Sequence, residues 1–178
     1  MMITYKRAST DHLQQILDIQ KRALKSNVSE DEKLLEGYIT VPHTLAILTK
    51  MNDACPHILA MDGNRVAGYA LTMLPSFRYE MKILTPMFET ADTLLPGRNY
   101  LAMGQICIDK PYRGQGVFRG LYNFYKAELS SSYECLFTEV ATGNTRSLNA
   151  HKAIGFKVLE TQITDETSWE MVCWDWRN

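Results

Sequence analysis

The chain has 178 residues, 46% of them hydrophobic and 22% charged, with a formal net charge of −1. That composition suits a globular domain able to bury a core, and the near-zero charge argues against a generic nucleic-acid binder. Cys55, Cys107, Cys135 and Cys173 lie far apart with no C-x-x-C pair, which disfavours zinc and a disulfide framework. The first residues, MMITYKRASTDH, lack an apolar core of signal-peptide length, and no run approaches the roughly 18 apolar residues of a membrane span. The expectation is a single cytoplasmic domain over 1–178, monomeric or homodimeric, bound to neither nucleic acid nor membrane.

In chain order, MITYKRAS reads as a short strand. Thr10 is placed to cap a helix over 11–24, where Leu13, Ile16, Leu17, Ala23 and Leu24 keep helical spacing. Ser29 opens a second helix with Asp31 and Glu32 in its first turn and Leu34, Leu35 and Tyr38 expected inward. Residues 43–52 are read as a third helix. HILAMDGNRVAGYALTML is a hairpin turning at Asp62-Gly63-Asn64. Residues 75–98, broken by Pro75, Pro86 and Pro96 yet carrying Phe77, Tyr79, Ile83, Leu84 and Phe88, suggest an insertion folded back with one short helix.

YLAMGQICID is a buried strand. A glycine loop follows, then a helix with Phe118, Leu121, Tyr122, Tyr125 and Leu129 on one face. ECLFTEVA is the next strand, NTRSLNAHKAIGF a helix ended by Gly155, and FKVLETQI and SWEMVCWDW are two closing strands. This order predicts α+β, a mostly antiparallel sheet with one parallel pair within 101–140.

The loop Arg113-Gly114-Gln115-Gly116, between strand and helix, is the chain's most specific signal. A helix N-terminus offers unpaired N–H groups, and glycines let an anion approach them. Lys110, Arg113 and Arg119 crowd the same place, and Lys126 lies two turns along. A plain strand-to-helix turn with solvated cations stays open beside that reading. A Walker loop is excluded, because no Gly-Lys-Ser/Thr exists. Gly114, Gly116 and Gly120 loosely imitate a dinucleotide fingerprint with Glu139 as the ribose acid, but Asp109 to Arg113 separate the strand from the first glycine, where that turn should be tight.

CIDKPYRGQGVF resembles the acetyl-CoA loop of the GNAT superfamily of N-acetyltransferases, Arg/Gln-x-x-Gly-x-Gly/Ala, with Phe118 replacing the final small residue. Asn144, Ser147, His151, Gly155 and Phe156 match a second block of that family. The resemblance implies a three-layer fold with helices on both faces of a mixed sheet and a splayed parallel strand pair. It implies acetyl-CoA as co-substrate, its pantetheine arm on the backbone of Ile106, Cys107 and Ile108 and its pyrophosphate on Arg113, Gly114, Gln115, Gly116, Val117 and Phe118. Asn144 is expected to hold a pantetheine amide or cap its helix. His151 stands where the family usually carries an acidic tyrosine, although it also falls on a packed helix face. Glu139 is the candidate acceptor of the amine proton, or else a solvated strand residue. Gln105 lies where some members place a carboxylate, but an amide cannot be a base.

The reaction implied is direct attack of a primary amine, of a small molecule or a peptide, on acetyl-CoA. A CoA-binding regulatory module without turnover is the alternative. The acidic run Glu30, Asp31, Glu32 and Glu36 is either a lure for a cationic acceptor or an exposed face.

Overall fold

The computed structural model describes residues 2–177. Seven strands form one sheet: β1 (Thr4–Arg7), β2 (Ile58–Asp62), β3 (Arg65–Met73), β4 (Tyr100–Ile108), β5 (Cys135–Ala141), β6 (Lys157–Thr164) and β7 (Thr167–Asp175), in the order β1-β2-β3-β4-β5-β7-β6. Every pairing is antiparallel except β4–β5. One face carries α1 (Leu13–Ala23), α3 (Leu45–Ala54) and α4 (Thr85–Leu94), whose apolar residues join Leu59, Tyr69, Leu71 and Phe137 in one core. The other carries α5 (Val117–Leu129) and α6 (Thr145–Ile154), packed on Ala70, Leu101, Leu136 and Val172. The mixed sheet with one parallel pair is that expected from the order of elements, and the three layers are those the resemblance implied.

Helix periodicity located the long helices well because their apolar faces are buried. The first helix differs in its start: Ser9, not Thr10, caps the chain's entry, and a 3-10 turn over Thr10–His12 precedes α1. The short helix α2 (Glu30–Glu36) does begin at Ser29, whose side chain accepts from the Glu32 N–H. Its two leucines contradict the inward expectation, with Leu34 70% and Leu35 72% exposed. The reason is electrostatic. Glu32 pairs with Lys110 at 2.5 Å and Glu36 with Arg113, so α2 docks through charges and turns its leucines to solvent. Residues 75–98 fold as two 3-10 turns and α4, and Phe77, Met87, Phe88 and Ala91 are buried in the core.

The parallel pair is short. Only Tyr100–Ala102 of β4 meet Cys135–Phe137 of β5. Just past this ladder the Thr138 hydroxyl donates to the Met103 carbonyl at 3.0 Å, and then the strands part. The cause lies on β4's other edge. Between the pairs Ala70↔Ile106 and Thr72↔Met103, β4 spends one residue more than β3, a bulge around Gly104-Gln105. A bulge bends and overtwists its strand. Packing is close there: a Cβ on Gly104 would lie 3.0 Å from the Met73 Cε and 3.4 Å from that of Met51, so the methionine ends would have to give by a few tenths of an ångström.

Three histidines are built into this interior as neutral rings. His57 lies between the Leu48 carbonyl, 3.2 Å from Nε2, and the Thr72 N–H, 3.1 Å from Nδ1. Burial lowers His57 to about 3, and His43 and His151 to about 4. Such groups take up protons first in the unfolded chain, so their stability is complete above about pH 6.5 and is lost as pH falls toward the folded values. Glu139, raised to about 7, acts in the opposite sense. Three groups against one predict a net loss of roughly 3 kcal/mol at most between pH 7.5 and 5. Urea unfolding midpoints at the two pH values check this, and an unchanged midpoint would contradict neutral burial.

Candidate functional site

The gap between β4 and β5 is a cleft of about 90 Å³. Met103–Ile106 form one wall, Thr138–Ala141 the other, and Asn144, Ser147 and His151 of α6 close one end. Across it runs a strap, residues 38–41, with Leu84, Met87 and Trp169 beside it.

Buried side chains fix the strap. Gln105 Nε2 donates to the Val41 carbonyl at 2.8 Å, while its Oε1 accepts from the Tyr69 hydroxyl at 2.6 Å. Asn144 Nδ2 donates to the Tyr38 carbonyl at 3.1 Å, and its Oδ1 caps α6 by accepting from the Ser147 N–H. Gly37 makes this approach possible: its φ is +78°, and a Cβ would stand 2.9 Å from Asn144 Oδ1. The Ile39 N–H and carbonyl bond to Ala23 and Lys25 at the end of α1.

The expected pantetheine strand divides by alternation. The Asp109 N–H bonds to the Ala67 carbonyl at 2.9 Å, so alternate residues of β4, counting back through Cys107, turn their backbone toward β3. Ile106 and Ile108 thereby face the gap. The Ile108 carbonyl already accepts from Arg113 Nε at 3.0 Å, which leaves Ile106 with its peptide groups toward the open space. Cys107 is buried, and desolvation raises its thiol to about 11, so it is no nucleophile.

In the loop between β4 and α5, Gly114 and Gly116 have φ of +72° and +79°, and a Cβ on either would meet nothing within 4 Å. Gly116 caps α5 without a side chain. By helix geometry the N–H groups of Val117, Phe118 and Arg119 emerge over this bare surface. Phe118 does not fill it: its ring packs edge-on to Tyr122 at 5.1 Å and His151 at 5.3 Å. Gln115 bends back, donating to the Pro111 carbonyl at 2.8 Å. The four cations read as an anion cluster are engaged within the chain. Lys110 and Arg113 hold α2, Arg119 donates to the Ala153 carbonyl at 3.1 Å, and Lys126 lies 5.4 Å over the Trp174 ring.

His151 and Glu139 both border the cleft but differ in state. His151 is 1% exposed. Nδ1 donates to the Ser147 carbonyl at 2.8 Å, so Nε2 accepts from the Tyr122 hydroxyl at 2.7 Å. With burial lowering its pKa to about 4, only about one ring in a thousand is cationic at pH 7. The ring has no proton to offer the cleft. Glu139 is half-buried, and desolvation raises it to about 7, where a carboxylate is both partly ionised and basic enough to take a proton. Among the described residues lining the cleft it is the only carboxylate.

The strap, Met87 and Trp169 were not singled out from sequence. Tyr38 was grouped with an inward helix face, and nothing in a Tyr-Ile-Thr-Val run announces a crossing segment. Gly37 is the one signal that could have ended the helix before it.

The fold that parts these two parallel strands has counterparts among known proteins. No curated protein matches the sequence. Among solved structures, the ribosomal-protein-S18-alanine N-acetyltransferase from Escherichia coli is 16% identical, with TM-score 0.65 over 98% of this chain and 94% of that one. Ard1 from Thermoplasma volcanium is 13% identical, with TM-score 0.70 over 98% of both chains. A GNAT superfamily phosphinothricin acetyltransferase from Sinorhizobium meliloti, in complex with AcCoA, is 15% identical, with TM-score 0.64 over 98% and 89%. These likenesses concern the fold. Residues 13–156 match the family described as Acetyltransferase (GNAT) family, and the chain is an acetyltransferase of that family, with acetyl-CoA as its co-substrate.

Proposed function

We propose that the protein transfers an acetyl group from acetyl-CoA to a primary amine by direct attack, with Glu139 as the base. The observation that carries this reading is the half-buried Glu139 on the wall of the gap between β4 and β5. The N–H groups of Val117 and its neighbours suit a pyrophosphate, and the Ile106 peptide suits the pantetheine arm and the thioester oxygen. Asn144 holds the strap and caps α6, so the amide contact expected of it would require giving up the Tyr38 carbonyl.

The balance of the step is simple. The amine nitrogen bonds to the thioester carbonyl carbon, and its surplus proton passes to Glu139. The carbon–sulfur bond breaks as the tetrahedral adduct collapses, and the thiolate leaves. A thiolate of ordinary pKa, near 8.5, is a tolerable leaving group and can be protonated by solvent. No protein acid is obligatory, which agrees with the locked state of His151. That residue acts as a packing and positioning group between Tyr122 and Ser147.

Three outcomes test the reading. Acetyl-CoA-dependent release of free thiol across a panel of amines is the direct assay, and CoA binding without release on any amine would favour the regulatory module. Glu139→Gln should lower kcat/KM by roughly 10²–10⁴-fold. The base must be deprotonated, so wild-type activity should rise with pH through about 7, and the variant should lose that limb. A variant with the wild-type profile would remove Glu139 from the chemistry.

His151→Phe should cost stability, because the Tyr122 hydroxyl and Ser147 carbonyl lose a buried partner, by about 1–3 kcal/mol. Its kcat per folded molecule should fall less than tenfold. A loss of a hundredfold in a folded variant would restore the acid role.

Gly116→Glu should weaken CoA binding at least tenfold by bulk and repulsion, while unfolding curves show the fold intact apart from the strain of a side chain at φ +79°. Glu36→Gln should do the reverse, strengthening CoA binding severalfold at low salt by releasing Arg113. Calorimetric titration of CoA distinguishes these outcomes from a loop that is only a turn.

A further inference from the structure

The acceptor side of the cleft has a definite chemistry. Its walls beyond the β4–β5 gap are Tyr38, Ile39, Val41, Leu84, Met87 and Trp169, with Thr40 as an exposed hydroxyl at their edge. Gln105, the polar residue nearest to them on β4, has its side-chain oxygen and nitrogen both engaged, with Tyr69 and Val41. Glu139 supplies one place for one amine. A second ammonium on the same acceptor would enter apolar walls without a partner, which is strongly unfavourable for a buried charge.

Three of the four acids of α2 are already partnered. Glu30 is paired with Lys33 at 2.5 Å, Glu32 with Lys110 at 2.5 Å, and Glu36 with Arg113. The acidic run that sequence alone allowed as a lure for cations is largely neutralised by the chain's own bases.

From this wall chemistry, and resting on the acetyl-transfer reading above, we propose that the acceptor is a primary monoamine carried on an apolar group, and that polycationic amines are discriminated against. Two sources share that chemistry: a free apolar amine, and the N-terminal residue of a peptide with an apolar side chain. Trp169 and Met87 are the specificity-determining walls.

The test uses the full chain, with acetyl-CoA binding measured by calorimetry in the same preparation. Thiol release is followed for hexylamine and phenethylamine, for lysine-free peptides beginning with Met or Leu, and for spermidine and kanamycin. The expected result is kcat/KM at least tenfold higher for an apolar monoamine of either source than for the polycations. Hexylamine against the peptides then tells which source fits the cleft. Trp169→Ala should raise KM for the favoured acceptor with little change in kcat. Thr40→Glu, at an exposed position bordering the cleft, should raise kcat/KM for 1,5-diaminopentane relative to hexylamine about tenfold by giving the second ammonium a partner. If acetyl-CoA binds and the polycations are preferred, or no apolar monoamine is acetylated, the inference is overturned while the fold's use of acetyl-CoA stands. If acetyl-CoA does not bind, the transfer reading falls and the inference with it.

Discussion

One extra residue in β4 is the constraint on which the site depends. An uninterrupted parallel pair would satisfy every peptide group between β4 and β5 and leave no space between them. The bulge at Gly104-Gln105 keeps β4 bonded to β3 while turning its far half away from β5. The gap therefore costs unpaired backbone on the β5 side, at Ile106 above all. Unpaired peptide groups are unfavourable when buried and useful when a ligand can pair with them. Gly104 lets the methionines pack close behind the bend, so the core and the cleft meet at the same residue.

The second element is the strap. Residues 38–41 form no part of the sheet, yet three buried amides reach the segment and its continuation: Asn144 to Tyr38, Gln105 to Val41, and Gln20 to His43. Each holds a backbone carbonyl, and Gln20 also meets the His43 ring. The strap's own side chains are thereby free to vary in chemistry without loss of its course. At its front, α2 is fastened through Glu32 and Glu36 to the two cations beside the glycine loop.

Much of this was legible in the sequence wherever local pattern and burial agree. The hairpin turn at Gly63, the Ser29 cap, the glycine loop and the C-terminal stop at Gly155 each follow from backbone chemistry that few other residues permit. Leu34 and Leu35 misled because apolar spacing normally reports burial, whereas α2 docks by salt bridges formed with residues about 78 positions later. No local pattern encodes such a partner. The same holds for the strap and for Trp169, which reach the cleft only through the crossing of the chain. Asn144, Gly114 and Gly116 were identified by type and spacing, and the structure adds what each side chain or bare backbone faces.

His151 shows how a position and a function can separate. Its spacing from Asn144 puts it on the α6 face toward the cleft, and a histidine there reads naturally as a proton donor. The surroundings decide otherwise. Phe118, Tyr122 and Phe156 make T-shaped contacts with it at 5.3, 5.6 and 5.1 Å, so the imidazole is buried in an aromatic nest, and that burial disfavours its cation. The bulk of Phe118, where a small residue would ordinarily follow the glycine loop, is part of that nest. A larger residue on α5 and a smaller ring on α6 fill one volume together, and they belong to one packing solution. On the mechanism proposed above, the site works with a base and without a side-chain donor. Glu139 lies on the β5 wall, and burial raises its pKa as burial also keeps His151 neutral. A cleft of low polarity thus favours the proton-accepting half of the chemistry and leaves the proton-donating half to solvent.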